Sequence, residues 1–528
     1  MRARSFRLSA AAFLLSCCSL TALAAGVVRA DDADSGDVDL NYHALAEKVA
    51  NTSIIWVDDD NRSLLRDSSL DQVAENFGQV VATYFNHQGM QSEAIKATAI
   101  YQSLGAFAMP IAPEDAQRAL QQMQQSETES SFDKSRAVSG SLTVTPDMIV
   151  SIMDATDCAD KAATELSQAG IQPNTIPNGV KRVGGGNVGK GSAQKVWIID
   201  TGLDNASNFI RVDTANAANC TVGKGAALCK PSSDATFDHD LIDKIGHGTM
   251  LAGIIGATSS PAAGKADAAA EATKAPSGAP SLLGVAPGVT VVPVKIFGSQ
   301  PNINLSGPPL AALDYVAGRA ADNDIVNMSW GAAWLEGMDR DPNNLGTVLG
   351  TVSNRTGLIA RIKKMIADKH LTFVVAAGNV NAVTRPSWVQ FVMPAGAGSY
   401  PKPNVGCSLC TVSAVDSQLD ANAGKWTDIF WYDHPTLPTA SPRFGSDYGH
   451  NPPDFAEPGV DVMSLWPRGK SGANRVNVCS GTSFAAAHLS GILARGQVAA
   501  DYTVTGDPDS PTDASTADPV GVLAKTSQ

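Results

Sequence analysis

The chain has 528 residues, 44% of them hydrophobic, and a formal net charge of −13. That length accommodates one large domain with a smaller companion and a sizeable core. The acidity excludes the basic face that a nucleic-acid partner requires, and keeps an extracellular protein soluble.

Arg2, Arg4 and Arg7 precede an apolar run from Leu8 to about Val28. Small-residue sites at Ala22-Leu23-Ala24 and Val28-Arg29-Ala30 lead into Asp31-Asp32. This is the layout of a secretory signal peptide over residues 1–30. Export to the medium, the periplasm or the cell surface is therefore expected. Leu14-Leu15-Ser16-Cys17 is an imperfect lipobox, which makes a lipid anchor at Cys17 the lesser alternative. No later segment is long and apolar enough to span a bilayer.

Residues 31–170 form a region of their own character. Val73, Phe77, Val80, Val81 and Tyr84 recur at helical spacing, and Pro113 opens a second helix with Ala116, Leu120 and Met123 on one face. Gln121 to Arg136 is polar and reads as an exposed linker. The expectation is a largely helical N-terminal region without a chemical constellation.

From about Ile171 to residue 528 the pattern changes. Val196–Ile199, Val289–Val294, Ile325–Met328, Leu371–Ala376 and Cys410–Val415 are short apolar runs bounded by turn residues, as buried strands are. Helices are expected at His247–Ala257, Pro309–Asp322, Val348–Ala367 and Ser483–Arg495. Such alternation predicts an α/β fold with a mainly parallel sheet flanked by helices. Thr258 to Pro280, rich in Ala, Ser, Pro and Gly, reads as an exposed insertion. Export permits disulfides. Cys220 and Cys229 flank a short loop as a bridge would, and Cys407-x-x-Cys410 lacks the second pair that zinc needs, so a local disulfide is the better reading.

Gly184, Gly186 and Gly189 satisfy G-x-G-x-x-G, but they precede a strand where the dinucleotide fingerprint must follow one. A near-phosphate loop at the same place carries Gly191 where Ser or Thr must bind the metal. Both motifs fail.

Four segments carry chemistry together. Asp200 ends the strand Val196–Ile199, where open α/β sheets place their sites. His247 opens a helix between Gly246 and Gly248, and the glycines let other backbone approach the ring. An imidazole oriented by a carboxylate is the natural base at neutral pH. His239 and His488 compete for that role but lack the glycine setting. Ser483 begins an Ala-rich helix, where free N–H groups favour developing negative charge. Asn379 follows a strand and a glycine, so its amide can reach into a cleft as an oxyanion donor beside the Ser483 N–H.

With Asp200-Thr201-Gly202, His247-Gly248-Thr249 and Gly481-Thr482-Ser483 in that order, residues 171–528 resemble the subtilisin-like (subtilase) serine peptidases. Ile176–Val183, Gly284-Val285-Ala286-Pro287, Asn327–Gly331, Phe444–Gly449 and Ala456–Gly459 add to the likeness. The resemblance implies a subtilisin-like three-layer fold and a secreted endopeptidase acting on proteins or peptides. Its triad would be Asp200, His247 and Ser483, with Asn379 in the oxyanion hole. It further implies a substrate-pairing strand at Ser329, Trp330 and Gly331. No cofactor is implied for the chemistry; structural calcium is common in such enzymes, and no ligand set is placed here. Position makes the N-terminal region an intramolecular inhibitor, with a permanent accessory domain as the alternative.

The chain departs from the family pattern at Ala487, where proline is usual, and at Met250, Ala332 and Glu457, while Trp330 is bulky. The expected effect is on substrate pockets and on the helix start, since no proton-transfer group is lost. Two rival readings stay open: a catalytically silent subtilase fold that binds peptides, and an esterase on the same scaffold.

Overall fold

The computed structural model describes residues 44–57, 69–126, 142–152, 158, 163–187, 194–204, 209–222, 228–231, 241–258, 280–333, 357–380, 392–395, 407–431, 445–447, 453–468, 473–496, 498–505 and 519–526. The signal segment, the interior of the insertion expected after Thr258, and the first turns of the helix expected from Val348 lie outside these residues.

The N-terminal unit is built from β1 (Ser53–Val57), α1 (Leu70–His87), β2 (Ala99–Tyr101), β3 (Ala106–Met109), α2 (Pro113–Ser126) and β4 (Leu142–Pro146). Ser69 caps α1, its hydroxyl accepting the Gln72 N–H at 3.2 Å. Val73, Phe77 and Val81 form the apolar stripe that packs on the sheet, with Phe77 edge-on to Phe107 at 6.0 Å. The strands run antiparallel in the order β2-β3-β1-β4. Both helices lie where the periodicity puts them. The sheet was not anticipated, because runs as short as Ser53–Val57 carry no period that separates strand from helix. The expected linker from Gln121 instead continues α2 as far as Ser126.

Chain then passes into β5 (Ile149–Ile152), taken up below. The larger body follows with β6 (Val196–Asp200), α3 (His247–Gly256), β7 (Thr290–Lys295), α4 (Pro308–Arg319), β8 (Ile325–Met328) and β9 (Trp330–Ala333). It continues through α5 (Gly357–Lys369), β10 (Thr372–Ala376), β11 (Leu409–Asp420), β12 (Phe455–Pro458) and α6 (Thr482–Ala494). Six strands run parallel in the order β7-β6-β8-β10-β11-β12. β6, β8 and β12 are buried at every residue, as strands covered on both faces must be. α3 and α6 pack on each other and on the central strands, while α4 and α5 pack on β6, β7 and β10.

Departures from the family pattern find local explanations. Glu457 is buried and its Oε1 accepts the Ala524 N–H at 2.9 Å, fastening the last strand, Pro519–Thr526, to β12. Ala487 is buried in α6, which begins at Thr482 without a proline. Among the described residues three disulfides close loops: Cys220–Cys229 and Cys407–Cys410, as expected, and Cys158–Cys479, which joins distant segments.

His488 sits fully buried in α6, its Nδ1 donating to the Phe484 carbonyl at 2.8 Å. Burial pulls its pKa from 6.5 down to about 4. A depressed imidazole favours the folded state only while neutral, so acidification from 6.5 towards 4 withdraws stability, by about 3 kcal/mol in full. In urea titrations, the stability lost between pH 7 and pH 4 is expected to be smaller in His488→Gln than in the wild type.

Candidate active site

Asp200 is the last residue of β6, and its neighbour across the sheet is Lys295 at the end of β7. The carboxylate is buried, with Oδ1 accepting the N–H of Thr201 at 2.7 Å and the Nδ1–H of His247 at 2.8 Å. The second bond requires α3 to start almost on top of the turn after β6. Gly248 makes that possible, since a Cβ there would stand 2.3 Å from the Gly202 carbonyl oxygen. Gly246, with φ at 108°, takes the left-handed turn that admits the helix and carries the Trp466 ring against its Cα. The close backbone approach expected from the flanking glycines is present at Gly248, whereas at Gly246 the neighbour is a side-chain ring. Thr201 Oγ1 accepts the Gly248 N–H at 2.7 Å and ties the same two segments a second time.

α6 supplies the serine. Its N-cap is Gly481, and Ser483 lies in the first turn, fully buried, with its hydroxyl donating to the Ser329 carbonyl at 3.3 Å. In return the Ser329 hydroxyl donates to the Ser483 carbonyl at 3.2 Å. The Phe484 ring stands 5.6 Å from the imidazole of His247, so the start of α6 faces the start of α3. His488, one turn further on, points into the core, and His239 lies outside the described residues.

Asn379 follows Gly378 at the end of β10. Its Oδ1 accepts both the N–H (3.0 Å) and the hydroxyl (2.9 Å) of Thr482. Two donors to one atom settle which end of the amide is oxygen. The Nδ2 group is therefore held on the other side, buried and without a hydrogen-bond partner among the described residues. An orphaned buried donor is costly to leave unmade, at about 1–3 kcal/mol.

The expected substrate strand, Ser329–Gly331, is found at the start of β9, and its edge is taken. β5 lies antiparallel to it, with Trp330 opposite Ile152, Gly331 opposite Ser151 and Ala332 opposite Val150. The other edge of β5 pairs with Asn302–Asn304. Trp330 differs from expectation: its indole is buried and donates to the Ile199 carbonyl at 2.9 Å, so it braces β6 from within. Just upstream, the buried carboxylate of Asp147 accepts the N–H (2.8 Å) and hydroxyl (2.5 Å) of Ser306 and the Asn304 amide (3.2 Å). Burial raises its pKa against these bonds.

Several working residues were not singled out from sequence. Thr482 orients Asn379, and Asn327 links Ser329 (2.9 Å) to Ser490 of α6 (3.0 Å); both stand inside quoted motifs, with tasks legible only in three dimensions. Asp147 and Asp243 carry no local signal. Among the described residues, no group of three or more His, Cys, Asp or Glu side chains is placed to hold a metal ion.

The pattern of the subtilase family matches residues 191–509. Among solved structures, the chain is similar to fervidolysin from Fervidobacterium pennivorans, a keratinolytic enzyme related to subtilisin, at 16% identity and a TM-score of 0.43, covering 84% of this chain and 54% of that one. It is also similar to the S41 psychrophilic protease, at 18% identity, a TM-score of 0.38, and 60% and 82% coverage. A cold-adapted subtilisin-like serine proteinase matches at 20% identity, a TM-score of 0.33, and 57% and 74% coverage. No curated protein matches.

Gly248→Ala is expected to destabilise the fold by about 1–3 kcal/mol, because backbone and not a mobile side chain must yield. Chemical denaturation measures the loss; a stability unchanged within error refutes the tight fit of α3 on the Asp200 turn.

Proposed function

This chain belongs to the subtilase family of serine peptidases, and from that premise we propose that it is an exported endopeptidase acting through Asp200, His247 and Ser483. The observation that carries the reading is the buried 2.8 Å bond between Asp200 Oδ1 and His247 Nδ1. A carboxylate can only accept, so the proton stays on Nδ1 and Nε2 is left basic.

In the proposed mechanism His247 takes the proton of Ser483 Oγ as that oxygen attacks the scissile carbonyl. Asp200 stabilises the imidazolium without taking its proton. The tetrahedral oxyanion is met by the Asn379 amide and the Ser483 N–H, a first-turn group with no helical carbonyl before it. The orphaned Nδ2 of Asn379 supports that role, since the donor is in place before any charge develops. His247 then protonates the leaving amine, and water activated by the same ring hydrolyses the acyl-enzyme. Substrate lies extended along β9, bonded through its main chain as an added strand.

The same geometry supports an inhibitory role for the N-terminal region. β5 occupies the edge that substrate needs, and Asp147 fastens its approach to Asn304 and Ser306. The rest of the unit docks on α4, with the Leu104 N–H on Asp314 at 2.9 Å and the Tyr101 hydroxyl on the Ser306 carbonyl.

A fluorophosphonate probe is expected to label the wild type and not Ser483→Ala, with casein hydrolysis falling by at least about 10⁴-fold in the variant. Absence of labelling in the wild type favours a silent peptide-binding fold; labelling and ester turnover without casein cleavage favours an esterase. Asn379→Ala is expected to lower kcat by about 10²–10³-fold, the size known for such a donor in subtilisin itself.

Ser151→Pro removes a main-chain donor from β5. The unprocessed variant is expected to react with the probe about tenfold faster than the unprocessed wild type, as about 1.4 kcal/mol of lost pairing implies. Equal rates argue for an accessory domain.

A further inference from the structure

Asp243 stands four residues before His247 and is almost fully buried. Its Oδ1 accepts the N–H groups of Ile245 (3.0 Å) and Gly246 (2.7 Å). Its Oδ2 accepts the N–H and the hydroxyl of Thr249, each at 2.8 Å. Thr201 Oγ1, on the residue after Asp200, accepts the Gly248 N–H at 2.7 Å and ties the same two segments beside this carboxylate. Thr249 Oγ1 likewise accepts the Asp204 N–H at 3.0 Å while donating to Asp243.

The placement of these donors is specific. All four come from Ile245, Gly246 and Thr249, which flank His247, and the Thr249 hydroxyl in turn holds the Asp204 N–H of the turn after β6. None is a group of the catalytic side chains themselves. One carboxylate therefore fixes how the end of β6 and the start of α3 sit against each other, which is the geometry the Asp200–His247 bond depends on. Capping a helix needs one acceptor for one or two N–H groups. A buried carboxylate that takes four donors and, through the Thr249 hydroxyl, also reaches the Asp204 N–H of a separate segment does more than that, and burying it is expensive unless every bond is made.

Resting on the triad reading above, we infer that Asp243 is a positioning residue: its carboxylate holds the His247 imidazole in register with Asp200. Misplacement by about 1 Å of a group in such a constellation lowers rate by about 100-fold.

Asp243→Asn keeps the shape but turns an N–H₂ towards donors, so it is expected to lower kcat by about 10–100-fold while KM stays within about twofold. The rate of fluorophosphonate labelling falls by the same factor. The far-downfield proton resonance of the Asp200–His247 hydrogen bond shifts or broadens at unchanged fold. Thr249→Val, which removes the hydroxyl that donates to Asp243 and accepts the Asp204 N–H, is expected to move the same three readouts in the same direction. It decides the matter if Asp243→Asn fails to fold. An unshifted resonance with kcat and labelling unchanged overturns the inference, as does a loss confined to KM or to thermal stability. If the wild type itself is not labelled at Ser483, the triad reading falls, and the resonance still reads the Asp243 effect on the Asp200–His247 bond.

Discussion

A single hydrogen bond between two buried groups, Asp200 and His247, sets the terms for the packing around it. Burying a carboxylate without a partner costs several kcal/mol, so the fold is obliged to deliver the imidazole to it. The partners come from different elements, one ending a parallel strand and the other opening a helix. A helix can reach the end of a strand this closely only where side chains are absent. Gly248 against Gly202, and Gly246 beneath Trp466, are those places. The parallel sheet contributes the rest, because every strand around Asp200 ends on the same side, where the next loops converge.

The edge of β9 poses the opposite problem. An exposed strand edge is a row of unpaired donors and acceptors that will pair with whatever extended chain arrives. In this structure that chain is β5, held between β9 and Asn302–Asn304 so that both its edges are bonded. Main-chain pairing discriminates weakly among sequences. On the proposed reading, β5 and a peptide substrate pairing along β9 compete on nearly equal chemical terms, and what distinguishes them is local concentration and the anchoring around Ser306.

Much of the parallel-sheet body was legible. Ile325–Met328 falls at the residues expected, and the other strands shift by a residue or grow, as Cys410–Val415 does into β11. These runs are buried on both faces, so composition alone marks them. The glycine-flanked His247 and the Gly-Thr-Ser start of α6 were visible because close packing demands particular small residues at particular positions. The N-terminal sheet was not visible, since Ser53–Val57 and Ala106–Met109 owe their form to partners far along the chain. Trp330 misled for a related reason: size suggests a pocket wall, whereas its indole N–H found the Ile199 carbonyl inside the core. Asp243 and Asp147 are ordinary acidic residues in sequence, and only burial beside many donors sets them apart.

The bridge between Cys158 and Cys479 has a topological consequence. Cys158 follows β5, and Cys479 stands four residues ahead of Ser483. A backbone cut anywhere after Cys158 and before Cys479 yields two chains that stay covalently joined, with β5 still leashed beside the serine. A cut between Ile152 and Cys158 lets the whole N-terminal unit diffuse away and leaves a short new amino terminus stapled to the strand Arg475–Cys479, just ahead of α6. On the proposed inhibitory role, where the chain is severed thus decides between a reversible plug and a discarded one, irrespective of how tightly β5 binds.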